Sequence, residues 1–405
     1  MVGAGAAGMT AAGFAARRGL AVTLVERNSR PGRKLGITGK GRCNVTNQCD
    51  ITRFLENVPR NPKFLYSAVT AFGPDRTMAF FEGLGVSLKV ERGHRVFPVS
   101  DRAADIVDAL ARFCRHSGCH TVRGRATALR MREGRAAGVE LEDGRRLAAD
   151  AVILCTGGVS YPATGSTGDG YELARQAGHT VVPPMPSLVP VRTAESWPAE
   201  AQGLSLRHVA LTVTDEKTKE EVFSEVGEML LTHFGVSGPL VLSASAHMRQ
   251  MQPGRYRLHI DLKPGLTADQ LDRRLQRDFL KYAGRELIHS LHDLLPASLI
   301  PVAVRLSGLD PCCRASQMTR EMRRGLAAQL KDMSLTAAGF RPVAEAIVTS
   351  GGVSVREIDP KTMESRRLPG LYIAGELLDV DGFTGGYNLQ IAFSTGYAAG
   401  NAVPA

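Results

Sequence analysis

Residues 1–28 read MVGAGAAGMTAAGFAARRGLAVTLVERN. Gly3, Gly5 and Gly8 form G-x-G-x-x-G. An alanine-rich stretch to about Arg18 has the composition of a helix, Ala21–Val25 that of a strand, and Glu26 follows the strand. A glycine turn between strand and helix brings backbone N–H groups and the positive end of the helix dipole to a pyrophosphate. An acid at the end of the second strand accepts hydrogen bonds from ribose hydroxyls. Three spaced glycines are a weak signal in a chain with 43 of them. In register with helix, strand and acid they specify a dinucleotide-binding unit. Only Met1 and Val2 precede Gly3, where a central strand of about five or six residues belongs. The expectation is a longer natural N-terminus with further β-branched residues, which an intact mass placing Met1 at the native start would refute.

The 405 residues exceed what one core usually supports, so two or three domains are expected. Apolar content of 43% with 22% charged residues is that of a soluble globular protein. No apolar run reaches the roughly 18–20 residues of a membrane helix, and the N-terminus does not read as a signal peptide. The seven cysteines include no C-x-x-C pair. A reduced cytoplasmic chain without structural zinc is therefore expected, and no metal-ligand cluster stands out. The net charge of +10 suits anionic partners, among them dinucleotide phosphates, acidic metabolites and RNA, although a solvated surface accounts for it equally well.

Further along, residues 65–85 read as a helix and 86–91 as a strand, and Asp105–His116 is an amphipathic helix. Short strands at 126–131, 138–141 and 146–148 read as a meander. The apolar stretch 151–154 reads as a buried parallel strand, running into CTGG, a loop over 159–170 and a helix over 171–177. From about residue 185 a proline-rich passage marks a boundary. Alternating strands follow, then a largely helical stretch over 267–332 with Thr267 or Asp269 as its cap, and strand again near 335–341. The chain closes as strand, glycine-rich loop and helix.

Residues 32–47, GRKLGITGKGRCNVTN, concentrate glycine and basic side chains around Cys43. A Walker A loop requires G-x-x-x-x-G-K-[ST]. Aligned on Gly39-Lys40, the stretch puts Lys34 at the first glycine and Gly41 at the magnesium-binding hydroxyl, so that reading fails.

Several segments together resemble one family, the HI0933-like or BaiN-like bacterial flavoproteins, also called aminoacetone oxidase family FAD-binding enzymes. They are GAGAAG at 3–8, KLGITGKGRCNVTN at 34–47, GHRVFPVSDRAADIVDAL at 93–110, ILCTGG at 153–158, TGSTGDGYELA at 164–174, LLTHFGVSGP at 230–239 and the long run at 348–396. The resemblance spans nearly the whole chain and implies an α/β fold: a Rossmann-type FAD-binding domain built from both chain ends (1–187 and 345–405), an inserted β-barrel (188–263 and 335–344) and a helical subdomain (264–334).

The resemblance also distributes roles. Gly3, Gly5 and Gly8 would hold the pyrophosphate of FAD, with Glu26 at the adenosine ribose, Arg27 as a further cofactor contact and Ala126 bordering the adenine. Lys34, Gly39, Gly41, Arg42 and Asn44 would line the cofactor. Thr156, Gly157 and Gly158 would let the backbone approach it, and Gly375 and Glu376 would take the ribityl or pyrophosphate region. Gly385, Gly386, Asn388, Leu389 and Gln390 open the last helix, whose dipole would favour negative charge on a reduced flavin.

For catalysis, a flavin reductase of an activated C=C bond needs a proton donor besides the hydride. Cys43 is one candidate, since Arg42 beside it would lower its pKa; the alternative is a small residue packed on the flavin. Tyr161, with Thr164 and Asp169 in the same loop, is a second. His233 with Ser237 is a third, where a structural role for the histidine stands beside a functional one, and His94 and Arg95 also merit testing. No second G-x-G-x-x-G follows a strand, so NAD(P)H as electron donor would have to bind transiently near the flavin.

Among activities, the resemblance favours reduction of a conjugated C=C in a small enone-like molecule. Reduction of uridine to dihydrouridine in ribosomal RNA and oxidation of an aminoacetone-type amine are the alternatives. Residues 264–335 carry 11 Lys/Arg against 8 Asp/Glu without an accompanying aromatic set, so RNA is permitted rather than indicated. No membrane partner is expected.

Overall fold

The computed structural model describes residues 1–404, which fall into two compact units, residues 1–187 with 342–404 and residues 188–341.

In the first unit a parallel sheet orders the chemistry. Strand Thr23–Glu26 pairs with His120–Arg123 on one side, and Val152–Leu154 pairs with Leu371–Ile373. Val2 joins the two halves, bridging Val25 and Leu154 in parallel. Its N–H donates to Ile153 at 2.8 Å and its carbonyl accepts from Cys155 at 2.8 Å. Met1 and Val2 thus lie in the central position that the glycine motif requires. The strands Val152–Leu154 and Leu371–Ile373 are buried at every residue, as strands covered on both faces must be.

Helix Ala6–Arg17 and the closing helix Tyr387–Ala402 pack on each other through small residues: a Cβ on Gly396 would stand 2.4 Å from Ala7 O, and one on Gly400 2.4 Å from Ala11 O. Strands Ala126–Arg132, Arg135–Leu141 and Arg146–Ala148 form the expected antiparallel meander. The expected helix over 65–85 is instead two, Pro62–Ala71 and Pro74–Gly83. Pro74 has no N–H to donate and occupies the first helical turn, so the chain stops at Phe72-Gly73 and restarts.

The second unit is a closed six-stranded antiparallel barrel. Its order is Val191–Thr193, Gly235–Ser237, Glu220–Thr232, Ser205–Asp215, Tyr256–Asp261 and Met333–Phe340, the last pairing with the first. Helices Ala268–Lys281, Ile300–Leu306 and Arg320–Lys331 share one apolar core with the barrel. Thr267 caps the first of them in a capping box with Gln270, which satisfies two otherwise orphaned backbone donors.

Candidate functional site

The glycine motif turns tightly between the central position and helix Ala6–Arg17. A Cβ on Gly3 would stand 2.6 Å from the carbonyl oxygen of Cys155, and one on Gly8 1.8 Å from that of Gly3. A Cβ on Gly5 would meet nothing within 4 Å. Gly5 caps the helix without a side-chain hydrogen bond, which leaves the N–H groups of the first turn without a side-chain acceptor at the positive end of the dipole. That is the environment a pyrophosphate needs.

Glu26, buried at the end of its strand, orders the turn. Its Oε2 accepts from the Ala4 N–H at 2.8 Å, and Oε1 from the Asn28 backbone and side chain at 2.8 and 2.7 Å. A carboxylate with two oxygens keeps acceptor capacity after three such bonds. Beside it Arg27 reaches Asp169 at 3.0 Å, and Arg125 grips Asp169 with two bonds of 2.9 Å. Arg125 and Arg27 hold the Asp169 carboxyl below its usual pKa. A polar cleft of about 570 Å³ opens here, lined by Arg27, Arg123, Gly124, Arg125, Glu142 and Asp143. Ala126 starts the adjoining meander strand and is buried.

Lys34, on the short helix Arg33–Ile37, pairs with Glu376 across 342 residues of chain, its Nζ 2.6 Å from Oε2. Glu376 follows Gly375 beyond the strand Leu371–Ile373. Gly157 lies nearby: its Cβ position is 3.8 Å from Glu376 Oε2. Thr156 Oγ1 and Asn44 Oδ1 are buried without a hydrogen-bond partner among the described residues. Uncapped helix, open space at Gly5 and orphaned polar atoms together fit a dinucleotide cofactor, because buried polar groups are otherwise satisfied.

Several expected liners have other tasks. A Cβ on Gly158 would stand 2.3 Å from Thr349 Oγ1, so Thr349 requires that glycine. The Gln390 side chain is wholly buried and fully engaged, accepting from Thr46 Oγ1 at 2.6 Å and placing Nε2 2.8–2.9 Å from Phe72 O, Thr77 Oγ1 and Ser394 Oγ. Asn388 closes its own loop, accepting from the Gly382 N–H at 2.9 Å and donating to Gly382 O at 2.7 Å. Gly386 caps the last helix with φ 103° and abuts the Thr46 backbone, while Gly385 O accepts from Asn47. Leu389 is partly buried against the core that contains Phe393.

Arg42 is held away from Cys43. Its guanidinium lies 4.2 Å over the Phe97 ring and bonds Glu91 and Asp101. Gly39, Lys40 and Gly41 before it all take positive φ. Cys43, itself at φ 60°, is fully buried in an apolar cluster with Met9, Leu35 and Val45. Burial pushes its thiol up to about 12 against a small opposing effect of Thr38. The expected lowering by Arg42 is thus replaced by desolvation, which favours the neutral form.

Tyr161 sits at φ 51° before Pro162, half-buried, and its hydroxyl has no hydrogen-bond partner among the described residues. Asp169 opens the helix Asp169–Gln176. His94 and Arg95 lie exposed at the turn between strands Leu88–Glu91 and Arg95–Pro98. His233 is exposed at the hairpin turn between strands Glu220–Thr232 and Gly235–Ser237 of the second unit, and Ser237 lies in the latter strand. Ser160, Thr349 and Arg125 escaped the sequence reading. Their partners lie far away in the chain, and no local spacing marks them.

A two-part Rossmann fold with this cradle defines an oxidoreductase of the FAD-dependent class. The chain belongs to the family described as HI0933-like protein Rossmann domain, which matches residues 1–402. It is 34% identical over 413 residues to the 3-dehydro-bile acid delta(4,6)-reductase of Clostridium scindens, covering 99% of this chain and 98% of that one. It is 32% identical over 400 residues to the ribosomal RNA dihydrouridine synthase of Escherichia coli, covering 98% and 96%. Among solved structures it resembles 3-ketosteroid delta1-dehydrogenase from Sterolibacterium denitrificans, with TM-score 0.52, 13% identity and coverage of 99% and 98%, a likeness of fold alone. Among the described residues no helix is long and apolar enough to cross a membrane, and no group of three or more potential metal ligands occurs. All seven cysteines are free.

Proposed function

We propose that the chain reduces a carbon–carbon double bond conjugated to a carbonyl group in a small molecule. The observation that carries this is the near full-length similarity to a reductase named for a 3-dehydro-bile acid. FAD, when bound, would supply a hydride from its reduced ring to the electron-poor carbon. NAD(P)H is the proposed source of the electrons, binding transiently because the chain has no second dinucleotide motif.

The chain's own part is holding and protonating. Gly3, Gly5 and Gly8 with their helix would hold the pyrophosphate; Glu26, Arg27 and Ala126 the adenosine end; Lys34, Gly39, Gly41, Asn44, Thr156, Gly157, Gly375 and Glu376 the remainder. The other carbon of the double bond requires a proton. Tyr161 is the proposed donor, because its hydroxyl has no competing partner among the described residues and its loop follows the return strand. Cys43 suits this task less: a buried thiol with its pKa pushed up to about 12 is a poor acid near neutrality.

Uridine in ribosomal RNA is the second proposed substrate, on the similarity to ribosomal RNA dihydrouridine synthases. Its reducible double bond is likewise conjugated to a carbonyl, so one proton donor serves both readings. Mass spectrometry of ribosomal RNA from a deletion strain separates them: unchanged dihydrouridine with retained enone reduction supports the small molecule, and lost dihydrouridine supports RNA.

A further inference from the structure

We infer that Lys34 is a positioning residue that fixes and neutralises the carboxylate of Glu376, with Ser160 and Thr349 completing the clasp. The inference rests on the FAD reading above and adds to it how an anionic cofactor is accepted beside an acidic side chain.

The Lys34 ammonium donates to both oxygens of Glu376, at 2.9 Å to Oε1 and 2.6 Å to Oε2, and to Ser160 Oγ at 2.6 Å. Oε1 also accepts from the Thr349 N–H at 2.9 Å, and Ser160 Oγ stands 3.2 Å from it. Thr349 Oγ1 in turn accepts from the N–H groups of Val159 and Ser160, at 2.9 and 3.2 Å. The clasp therefore joins four separate stretches: the short helix at 33–37, the loop after Val152–Leu154, the strand Val348–Val353 and the turn after Leu371–Ile373.

Oε1 is crowded, whereas Oε2 has Lys34 as its single hydrogen-bond donor among the described residues and lies 3.8 Å from the Cβ position of Gly157. A carboxylate oxygen has two acceptor directions, so Oε2 retains one. The Lys34 and Glu376 side chains are only 22% and 21% exposed. At that depth a lone carboxylate repels an incoming diphosphate more strongly than it would in water. Paired with Lys34 it becomes a neutral acceptor of fixed direction, suited to a hydroxyl of the cofactor's polyol chain. Removing one partner of such a pair leaves a stranded charge; removing both does not.

The test is a double-mutant cycle on the full-length chain with wild type, Lys34→Met, Glu376→Gln, the double variant and Lys34→Arg. FAD is stripped from each, the apo protein is checked by circular dichroism, and FAD is titrated back by quenching of flavin fluorescence. Flavin midpoint potentials are measured on the reloaded proteins. Lys34→Met is expected to raise the FAD Kd about tenfold or more. In the Glu376→Gln background the same change is expected to cost less than about threefold, and Lys34→Arg to stay within about threefold of wild type. The midpoint potential of Lys34→Met should fall below that of wild type, since the uncompensated carboxylate disfavours added electrons. Equal costs of Lys34→Met in both backgrounds, an unchanged Kd, or loss of folded apo Lys34→Met would overturn the inference while leaving FAD binding by the wild type intact. A wild type that takes up no FAD would overturn the FAD reading and this inference with it.

Discussion

Gly8 packs so closely beneath Gly3 that a Cβ added to it would lie 1.8 Å from the Gly3 carbonyl oxygen. Gly5, between them in sequence, has open space on its Cβ side and an ordinary φ of −85°. The two glycines therefore separate folding from binding. Gly8→Ala should destabilise the apo protein by about 3 kcal/mol, as overpacking against backbone does. Gly5→Ala should leave apo stability within about 0.5 kcal/mol while weakening FAD binding, because its methyl enters the space before the helix. Denaturant midpoints of the apo variants with FAD titrations check both; equal effects of the two substitutions would contradict the cradle.

The buried thiols make stability depend on pH above neutrality. The Cys43 and Cys155 thiols are each pushed up to about 12 by burial, from an ordinary value of 9.0. Between pH 9 and 12 the unfolded chain releases these protons while the folded chain keeps them, so stability falls as pH rises, by up to about 1.4 kcal/mol per pH unit for each thiol. Urea unfolding at pH 8.5 and pH 10.5 should show the loss. Cys43→Ser should reduce its slope by one thiol's share, and should leave flavin reoxidation by the substrate unchanged within about twofold. A large loss of that reoxidation would restore Cys43 as the acid.

Gln390 ties the last helix to Thr46, Phe72 and Thr77. Gln390→Leu leaves these buried groups without their partner, at about 1–3 kcal/mol for each orphaned group. Thermal unfolding should shift down by several degrees or more, whereas the visible spectrum of bound flavin should not change. A normal melting temperature with an altered flavin spectrum would assign Gln390 to the cofactor instead.

Tyr161→Phe removes one hydroxyl from a half-buried loop. Apo stability and FAD affinity should be preserved, and enone reduction should fall about 100-fold, the usual share of a positioned acid. Unchanged turnover would reject Tyr161 as the donor.

Much of this was legible in 28 residues. The glycine spacing, the alanine-rich helix and Glu26 carry their own geometry, since the turn needs close backbone approach at Gly3 and Gly8. Regular strands and the Thr267 cap were equally local. Phe72-Gly73-Pro74 also held a local signal, the proline restart, which the longer helical pattern masked. The rest was not local. Lys34 meets Glu376, and Thr46 meets Gln390, across more than 300 residues, and nothing in either segment names its partner. Burial of Cys43 was invisible for a related reason: Arg42 beside it in sequence turns to Glu91 and Asp101, so adjacency did not become proximity. Val2 filling the central sheet position could be seen only once Val25 and Leu154 were placed on either side of it.

The most direct measurement of the proposed activity is anaerobic. Holoenzyme reduced by light is mixed in a stopped-flow instrument with a panel of conjugated enones, and the flavin's visible absorbance is followed while products are analysed by mass spectrometry. At least one enone should restore oxidised flavin at a rate that saturates with its concentration and yield the saturated ketone in stoichiometric amount. A flavin that stays reduced with every enone and every uridine-containing RNA offered, and reoxidises only with oxygen, would contradict it.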